Sequence, residues 1–295
     1  MPVRPATTPP ALPALLALLL PLVLLLAGCS GSSGAPLADP DPDAVVLPKY
    51  HDPRRLLADV GARMHADGSA QLSLEGTLTG TSGPIPVTGD GALLFDRARP
   101  GAEPAVRLEL RSGGTSAGTG LIRTGGRTWL RPPGAGWLEA GRDPMPAGTE
   151  SSANGTSTST ESSTGGTSTS AEAMIAANAA AGADPLVDVS RYADAVLVAD
   201  AVDERVDGVP AVRYTLVVDL ARAITAEADP ARRAALQAQQ QAGTTRLSSE
   251  IWLDAERHPV QGRIRRSLPG AGTLELVTHY RDWGSPVTVD PPAAG

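Results

Sequence analysis

The feature that most limits the fold is a series of short segments in which large apolar residues take every second position. Leu72, Leu74 and Leu78 alternate with Ser73, Glu75, Thr77 and Thr79. Val106, Leu108 and Leu110 repeat the pattern, as do Val212, Tyr214, Leu216 and Val218. Near the end, Leu274, Leu276 and Tyr280 alternate with Glu275 and His279. Side chains two apart lie on one face of a strand, so a period of two predicts half-buried antiparallel strands. Gly83-Pro84, Gly125-Gly126 and Asp207-Gly208 supply turn chemistry between segments. The clearest hairpin spans residues 196–206 and 211–219. A short edge is expected at Trp137-Leu138. Counted together, the pattern predicts about nine strands, mostly in hairpins.

Helical spacing appears before and within that series. Asp52-Pro53 reads as an N-cap followed by proline at the first helical position. Leu56, Leu57, Val60 and Met64 then form one apolar face, and Gly68 ends the helix. His65, in the last turn, is expected at the helix-end surface. Residues 171–181 predict a short helix and 184–193 a second helical or turn segment. A helical insert follows at Leu220, Ala223 and Ile224. It resumes at Asp229-Pro230 through Ala234, Ala235 and Leu236, and Gly243 closes it. Three or four helices that do not alternate with the strands predict an α+β fold. One antiparallel sheet carries its helices on one face.

The N-terminus adds a compartment. Residues 11–27 are mostly leucine and alanine, with Arg4 before them, and Leu26-Ala27-Gly28-Cys29 follows directly into small polar residues. A charged start, an apolar middle and a small-residue exit describe a secretory signal. The Leu-Ala-Gly-Cys exit resembles the lipobox of bacterial lipoproteins. That resemblance implies acylation of the Cys29 thiol and cleavage before it, with residues 1–28 as signal peptide. A transmembrane helix is the competing reading, but the run is short for one and carries Pro13 and Pro21. A buried idle thiol is disfavoured by the Gly/Ser surroundings. Residues 29–50 read as a flexible tether, 51–292 as one domain and 293–295 as a tail.

Cys29 is the only cysteine, so no disulfide within the chain can brace the fold and an apolar core must do so. The formal charge of −7 becomes −8 without Arg4, which excludes a general attraction to nucleic acid or anionic headgroups. Abundant Ala, Gly and Pro with a single lysine, Lys49, suggest a high-GC genome such as an actinobacterium. Residues 149–170 contain fifteen Ser or Thr and no large apolar side chain. Such a stretch cannot offset the entropy of ordering and is expected to be a disordered insert.

No motif argues for catalysis or a cofactor. Gly114-Thr115-Ser116-Ala117-Gly118 matches G-x-S-x-G, but that motif needs a strand-to-helix elbow, and here a strand follows. Four scattered histidines lack metal-ligand spacing. Asp39, Asp41 and Asp43 lack the glycine and glutamate of a calcium loop. Arg263, Arg265 and Arg266 read as a solvated strand face. The chain is therefore not expected to be an enzyme.

Trp252-Leu253-Asp254, then Pro259, then Tyr280-Arg281-Asp282-Trp283-Gly284-Ser285-Pro286-Val287-Thr288-Val289 resembles the closing pattern of the LppX/LprAFG-type actinobacterial lipoproteins. Asp207-Gly208 followed by Tyr214-Thr215-Leu216 is similar to that family's central hairpin. The resemblance covers residues 52–292. It implies a lipoprotein-carrier half-barrel: a curved antiparallel sheet with helices on its concave face, holding an acylated lipid. The inward residues Leu72, Leu74, Leu78, Leu108, Leu110, Tyr214, Leu216, Val218 and Leu276 would then line the ligand. An ordinary filled core accounts for the same residues, which leaves a lipid-anchored structural or interaction protein as the alternative. The implied partners are membrane lipid through the acylated N-terminus, an apolar or acylated lipid ligand, and an envelope transporter of unspecified identity. The implied location is the outer face of the cytoplasmic membrane.

Overall fold

The computed structural model describes residues 45–293 except 82, 100, 115–117, 141–165 and 269. Cys29, the first part of the expected tether, the centre of the G-x-S-x-G match and residues 149–165 of the Ser/Thr stretch lie outside the described residues. Within them the chain forms one eleven-stranded antiparallel sheet, five α-helices and a 3₁₀ turn.

Helix α1 (Pro53–Asp67) starts as its sequence dictates. Asp52 accepts a hydrogen bond from the Arg54 backbone at 2.9 Å, and Pro53 follows it. Gly68, at φ 81°, ends it by returning its N–H to Met64. A left-handed residue costs glycine nothing, and the chain turns at once into β1 (Ser69–Gly80). The chain then meanders outward through β2 (Gly83–Leu94), β3 (Ala105–Ser112), β4 (Thr119–Thr124), β5 (Arg127–Arg131) and β6 (Leu138–Ala140). After α2 (Gly166–Gly182), α3 (Val187–Arg191) and the 3₁₀ turn Ala193–Ala195, a second meander begins. It consists of β7 (Val196–Val206), β8 (Val209–Asp219), β9 (Arg246–Asp254), β10 (Pro259–Leu268) and β11 (Gly272–Arg281). Helices α4 (Leu220–Ala226) and α5 (Pro230–Gln241) interrupt it. Asp219 and Asp229 cap those two helices through their carboxylates.

The two meanders join at the centre, where β1 pairs with β11 from Gln71↔Arg281 to Thr79↔Thr273. Strands β6 and β7 are the edges, so the sheet is open. The connection from β6 to β7 must traverse ten strand spacings, roughly 45–50 Å along the sheet. That requirement places α2 and α3 across one face. Ile175, Ala176, Ala179, Ala180 and Ala183 of the α2 region share one buried cluster with Leu56, Val60, Val189, Leu220 and Leu236 from the other helices. The inward strand residues complete the same cluster. The α+β half-barrel with helices over its concave face is therefore what the chain forms.

Glycines on the inner face let the sheet bend closely. A Cβ on Gly76 would stand 2.7 Å from Leu276 Cδ2, and one on Gly91 would stand 2.7 Å from Leu108 Cδ2. The leucines of the neighbouring strands lie across those gaps.

Four sequence expectations differ from the structure. Among the described residues there are eleven strands rather than about nine: the segments on either side of Gly125-Gly126 and the short edge after Trp137 each pair as full members of the sheet, β4, β5 and β6. There are five α-helices rather than three or four. Helix α2 begins at Gly166, so residues 166–170 are helical; helix propagation from the alanine-rich stretch extends into them. Residues 47–50, placed in the tether, are held by the sheet. Leu47 is buried, its N–H donates to Asp203 Oδ1 at 3.2 Å, and the Tyr50 N–H donates to the Tyr214 hydroxyl at 3.0 Å.

Candidate functional site

All nine sequence-chosen interior residues lie on the concave face. Leu72, Leu74 and Leu78 of β1 share that face with Leu276 of β11 and, across β2, with Leu108 and Leu110 of β3. Tyr214, Leu216 and Val218 stand on β8, three strands beyond β11, and face the same side. None of the nine is more than 3% exposed, so in this state the interior is packed against the helices. They form one wall, with Ile264 of β10 and Ile251 of β9 between the two groups.

Open space lies at the rim, where β1 begins and β11 ends. One cleft of about 640 Å³ is lined by Leu57, Gly61, Met64 and His65 of α1, by Phe95 and Glu103, and by Asp184 and Leu186. A second, of about 860 Å³, shares Phe95 and Glu103 and continues past Thr124 to Pro286. A third, of about 620 Å³, is lined by Tyr50, Val212, Tyr214 and Leu253. Leu57, Met64, Phe95, Tyr214 and Leu253 are themselves core residues, so these clefts open onto the edge of the apolar interior.

The closing motif builds this rim. Trp283 stacks with His258 at 5.7 Å, Tyr280 at 6.1 Å and Phe95 at 6.4 Å between ring centroids. Its indole donates to the Pro259 carbonyl at 3.0 Å. The Gly284 N–H donates to the Ser69 carbonyl at 2.9 Å, which ties the C-terminal segment to the start of β1. Asp254 accepts the N–H groups of Glu256 and His258, shaping the β9–β10 turn. His258 is buried, with Asp67 2.7 Å from Nε2 and Asp254 3.3 Å from Nδ1. In the sequence His258 is one of four scattered histidines with nothing to single it out. Its partner Asp67 comes from a distant helix end, so local pattern carried no sign of the pair.

Polar groups also enter the concave side. The three arginines of β10 were expected on a solvated face, and two are. Arg263 pairs with Glu250 at 3.0 Å, and Arg265 is exposed opposite Glu275. Arg266 is the correction: it lies opposite Leu274, and successive strand residues point to opposite faces, so it turns inward. Burial pushes its guanidinium pKa down. Arg123 of β4 turns inward opposite Val106, beside Leu121 and Leu108. His65, expected at the surface, lies partly buried against Phe95 at 5.1 Å. In the sequence the signal of Arg123 is a basic residue two places after Leu121, where the inward alternation calls for an apolar one.

At the opposite wall of the roof, Tyr192 donates to Glu227 Oε2 at 2.6 Å. The Asp229 N–H and Arg232 Nε also donate to that carboxylate. The Tyr192 bond, with these others, holds the Glu227 pKa down at about 2. Burial, together with the Glu227 bond, pushes the Tyr192 hydroxyl up to about 12.

Among the described residues, no group of three or more His, Cys, Asp or Glu side chains is placed to hold a metal ion. No helix among them is long and apolar enough to cross a membrane. His279 lies on the convex face opposite Ser73.

No protein-family model matches the chain, and no curated protein matches it in sequence. Solved structures similar to it include LprF from Mycobacterium bovis, at 13% identity over 82% of this chain and 97% of LprF, with a TM-score of 0.31. A LolA superfamily protein from Nitrosomonas europaea is similar at 9% identity over 79% of this chain and 93% of that one, TM-score 0.32. The MucA/MucB complex of Pseudomonas aeruginosa gives 12% identity over 77% of this chain and 57% of the matched one, TM-score 0.30. The fold itself rests on the strand register of this chain.

Proposed function

We propose that this chain is an extracytoplasmic lipoprotein, anchored through acylated Cys29, that binds an acylated lipid at the rim of its concave face. The supporting observation is the join between the clefts and the core: the space beside α1 is walled by Leu57, Met64, Phe95 and Leu186, all buried members of the apolar cluster. Its volume of about 640 Å³ suits a small-molecule site. The acyl chain enters there, with Leu72, Leu74, Leu78, Leu108, Leu110, Tyr214, Leu216, Val218 and Leu276 as the wall behind. Burying a sixteen-carbon chain contributes roughly 12 kcal/mol gross, against association costs of about 4–15 kcal/mol. The role is binding and carrying rather than catalysis. The anchor would hold the domain at the outer face of the cytoplasmic membrane, where an envelope transporter is a natural partner. Stable anchoring needs two acyl chains or more, which a diacylglyceryl group on Cys29 supplies.

The near-complete burial of the nine wall residues favours a second reading, a lipid-anchored structural protein with a filled core. One experiment separates the two. The full chain is purified from its native host beside the Cys29→Ala variant, and each is weighed by native mass spectrometry. The carrier reading expects a stoichiometric noncovalent lipid in both, with covalent lipid mass only in the wild type. Two empty proteins would leave the structural reading. An unmodified Cys29 in the wild type would remove the anchor.

A further inference from the structure

We propose that the rim cleft accepts an amphiphile with an anionic head, a phosphate or carboxylate, and that Arg123 and His65 receive its oxygen atoms. The inference rests on the acyl-binding reading above and names the class of head group.

Three hydrogen-bond donors near this cleft are sealed from solvent and lack an acceptor among the described residues: Arg123 Nε, Arg123 Nη2 and His65 Nδ1. The two arginine donors lie along one edge of the guanidinium, the edge that grips two oxygens of a carboxylate or phosphate side by side. His65 Nε2 accepts the Gly101 N–H at 3.3 Å, so in the neutral ring Nδ1 carries the hydrogen and is a donor. His65 lines the cleft, as do the two carboxylates nearest in charge to Arg123, those of Glu103 and Asp184.

Neither carboxylate completes the arginine. Glu103 Oε1 is taken by Arg191 Nη2 at 3.2 Å. Asp184 Oδ1 accepts the Leu186 N–H at 2.9 Å, and burial pushes the Asp184 carboxyl up toward its neutral form. A buried cation is costly unless an anion meets it directly. Here acceptors are missing and donors are in surplus: His65 stands on the wall of a cleft that also presents Leu57, Met64 and Phe95, and Arg123 lies within charge range of Glu103 and Asp184 on that same wall. An apolar wall and unmet donors together describe a ligand with a chain and an anionic head.

The test titrates the full chain, stripped of noncovalent lipid, with hexadecyl phosphate, hexadecanol and inorganic phosphate below any micelle concentration. The expected result is hexadecyl phosphate binding roughly ten- to hundredfold tighter than hexadecanol, the worth of hydrogen bonds to a charged group. Arg123→Gln should abolish that preference and leave hexadecanol binding unchanged. Equal binding of the two sixteen-carbon probes by the wild type overturns the anionic head while the acyl reading stands. Binding of neither overturns both. Inorganic phosphate competing as well as hexadecyl phosphate overturns the amphiphile in favour of a free anion. A stability arm guards against misfolding: in lipid-free protein, Arg123→Met should leave the thermal midpoint unchanged or raised. A fall of more than about 5 °C would mean that Arg123 already has its partner inside the protein, and it too overturns the proposal.

Discussion

Arg213 and Arg123 are carried by strands of one sheet, on opposite faces, and their surroundings differ in kind. On the convex face, Arg213 Nε donates to Glu204 Oε1 at 2.8 Å, and Nη1 donates to Glu250 Oε1 at 2.9 Å. The Glu204 carboxylate, which also takes the Trp252 indole N–H at 2.7 Å, raises the Arg213 pKa. On the concave face, burial lowers the Arg123 pKa, and two of its nitrogens have no hydrogen-bond partner among the described residues. The convex arginine is satisfied by the fold and serves it. The concave one is a charge the fold surrounds without satisfying, which separates residues that hold the structure from residues available to a ligand.

The largest effect should come from placing the same charge on each face in turn. Leu216 is fully buried opposite Val198 and Ser249, whereas Val217, its neighbour in sequence, faces the convex side opposite Leu197 and Ser248. Leu216→Asp should abolish cooperative unfolding or lower the thermal midpoint by more than about 15 °C, and Val217→Asp should shift it by a few degrees at most. Circular dichroism melts read both. Similar shifts would mean that the two faces are not distinct environments.

The next effect is smaller and concerns the arginines themselves. Arg213→Leu removes the cationic partner of Glu204, leaving it the Trp252 indole, and one of two cationic partners of Glu250, so it should cost about 1–2 kcal/mol, seen as a fall of roughly 3–6 °C. The matching change at Arg123 is expected to cost nothing without ligand. If the two losses are equal, the contrast between satisfied and unsatisfied arginine collapses.

The smallest effect extends the comparison to a satisfied acid. Glu227 titrates at about 2 in the folded chain against an ordinary value of 4.5. A carboxyl with a depressed pKa contributes stability that is whole above pH 4.5 and is lost as pH falls from 4.5 toward 2. Glu227→Gln should therefore flatten the decline of stability over that window. Tyr192, raised to about 12 from 10, has the opposite window: its contribution is whole below pH 10 and is lost as pH climbs toward 12. Urea midpoints across both ranges, compared between wild type, Glu227→Gln and Tyr192→Phe, check the signs.

Local chemistry was legible where neighbours in sequence settle the outcome. The caps at Asp52 and Asp229, the Gly68 stop and the Asp207-Gly208 turn all formed where the residues placed them. The nine alternating apolar residues also reached one face, because a period of two leaves strands little choice once one face is buried. What could not be read locally was long-range pairing. Nothing near Leu72 announces Tyr280, and nothing near His258 announces Asp67. Arg266 was misplaced because three basic residues close together look like one charged patch, while strand geometry divides Arg265 from Arg266. The vacant donors on Arg123 depend on Glu103 being claimed by Arg191, a third residue far along the chain.

The seam between β1 and β11 has a kinetic meaning. Each meander can grow hairpin by hairpin, with contacts short in sequence. The seam joins residue 72 to residue 280 and closes the longest loop in the sheet. Loop closure has its entropy cost before the new contacts return anything, and folding slows as contacts grow more distant in sequence. Assembly should then have two tempos: early formation of the six-stranded and five-stranded halves, and a late zipper between them. Amide protons along β1 and β11 would be the last to gain protection during refolding.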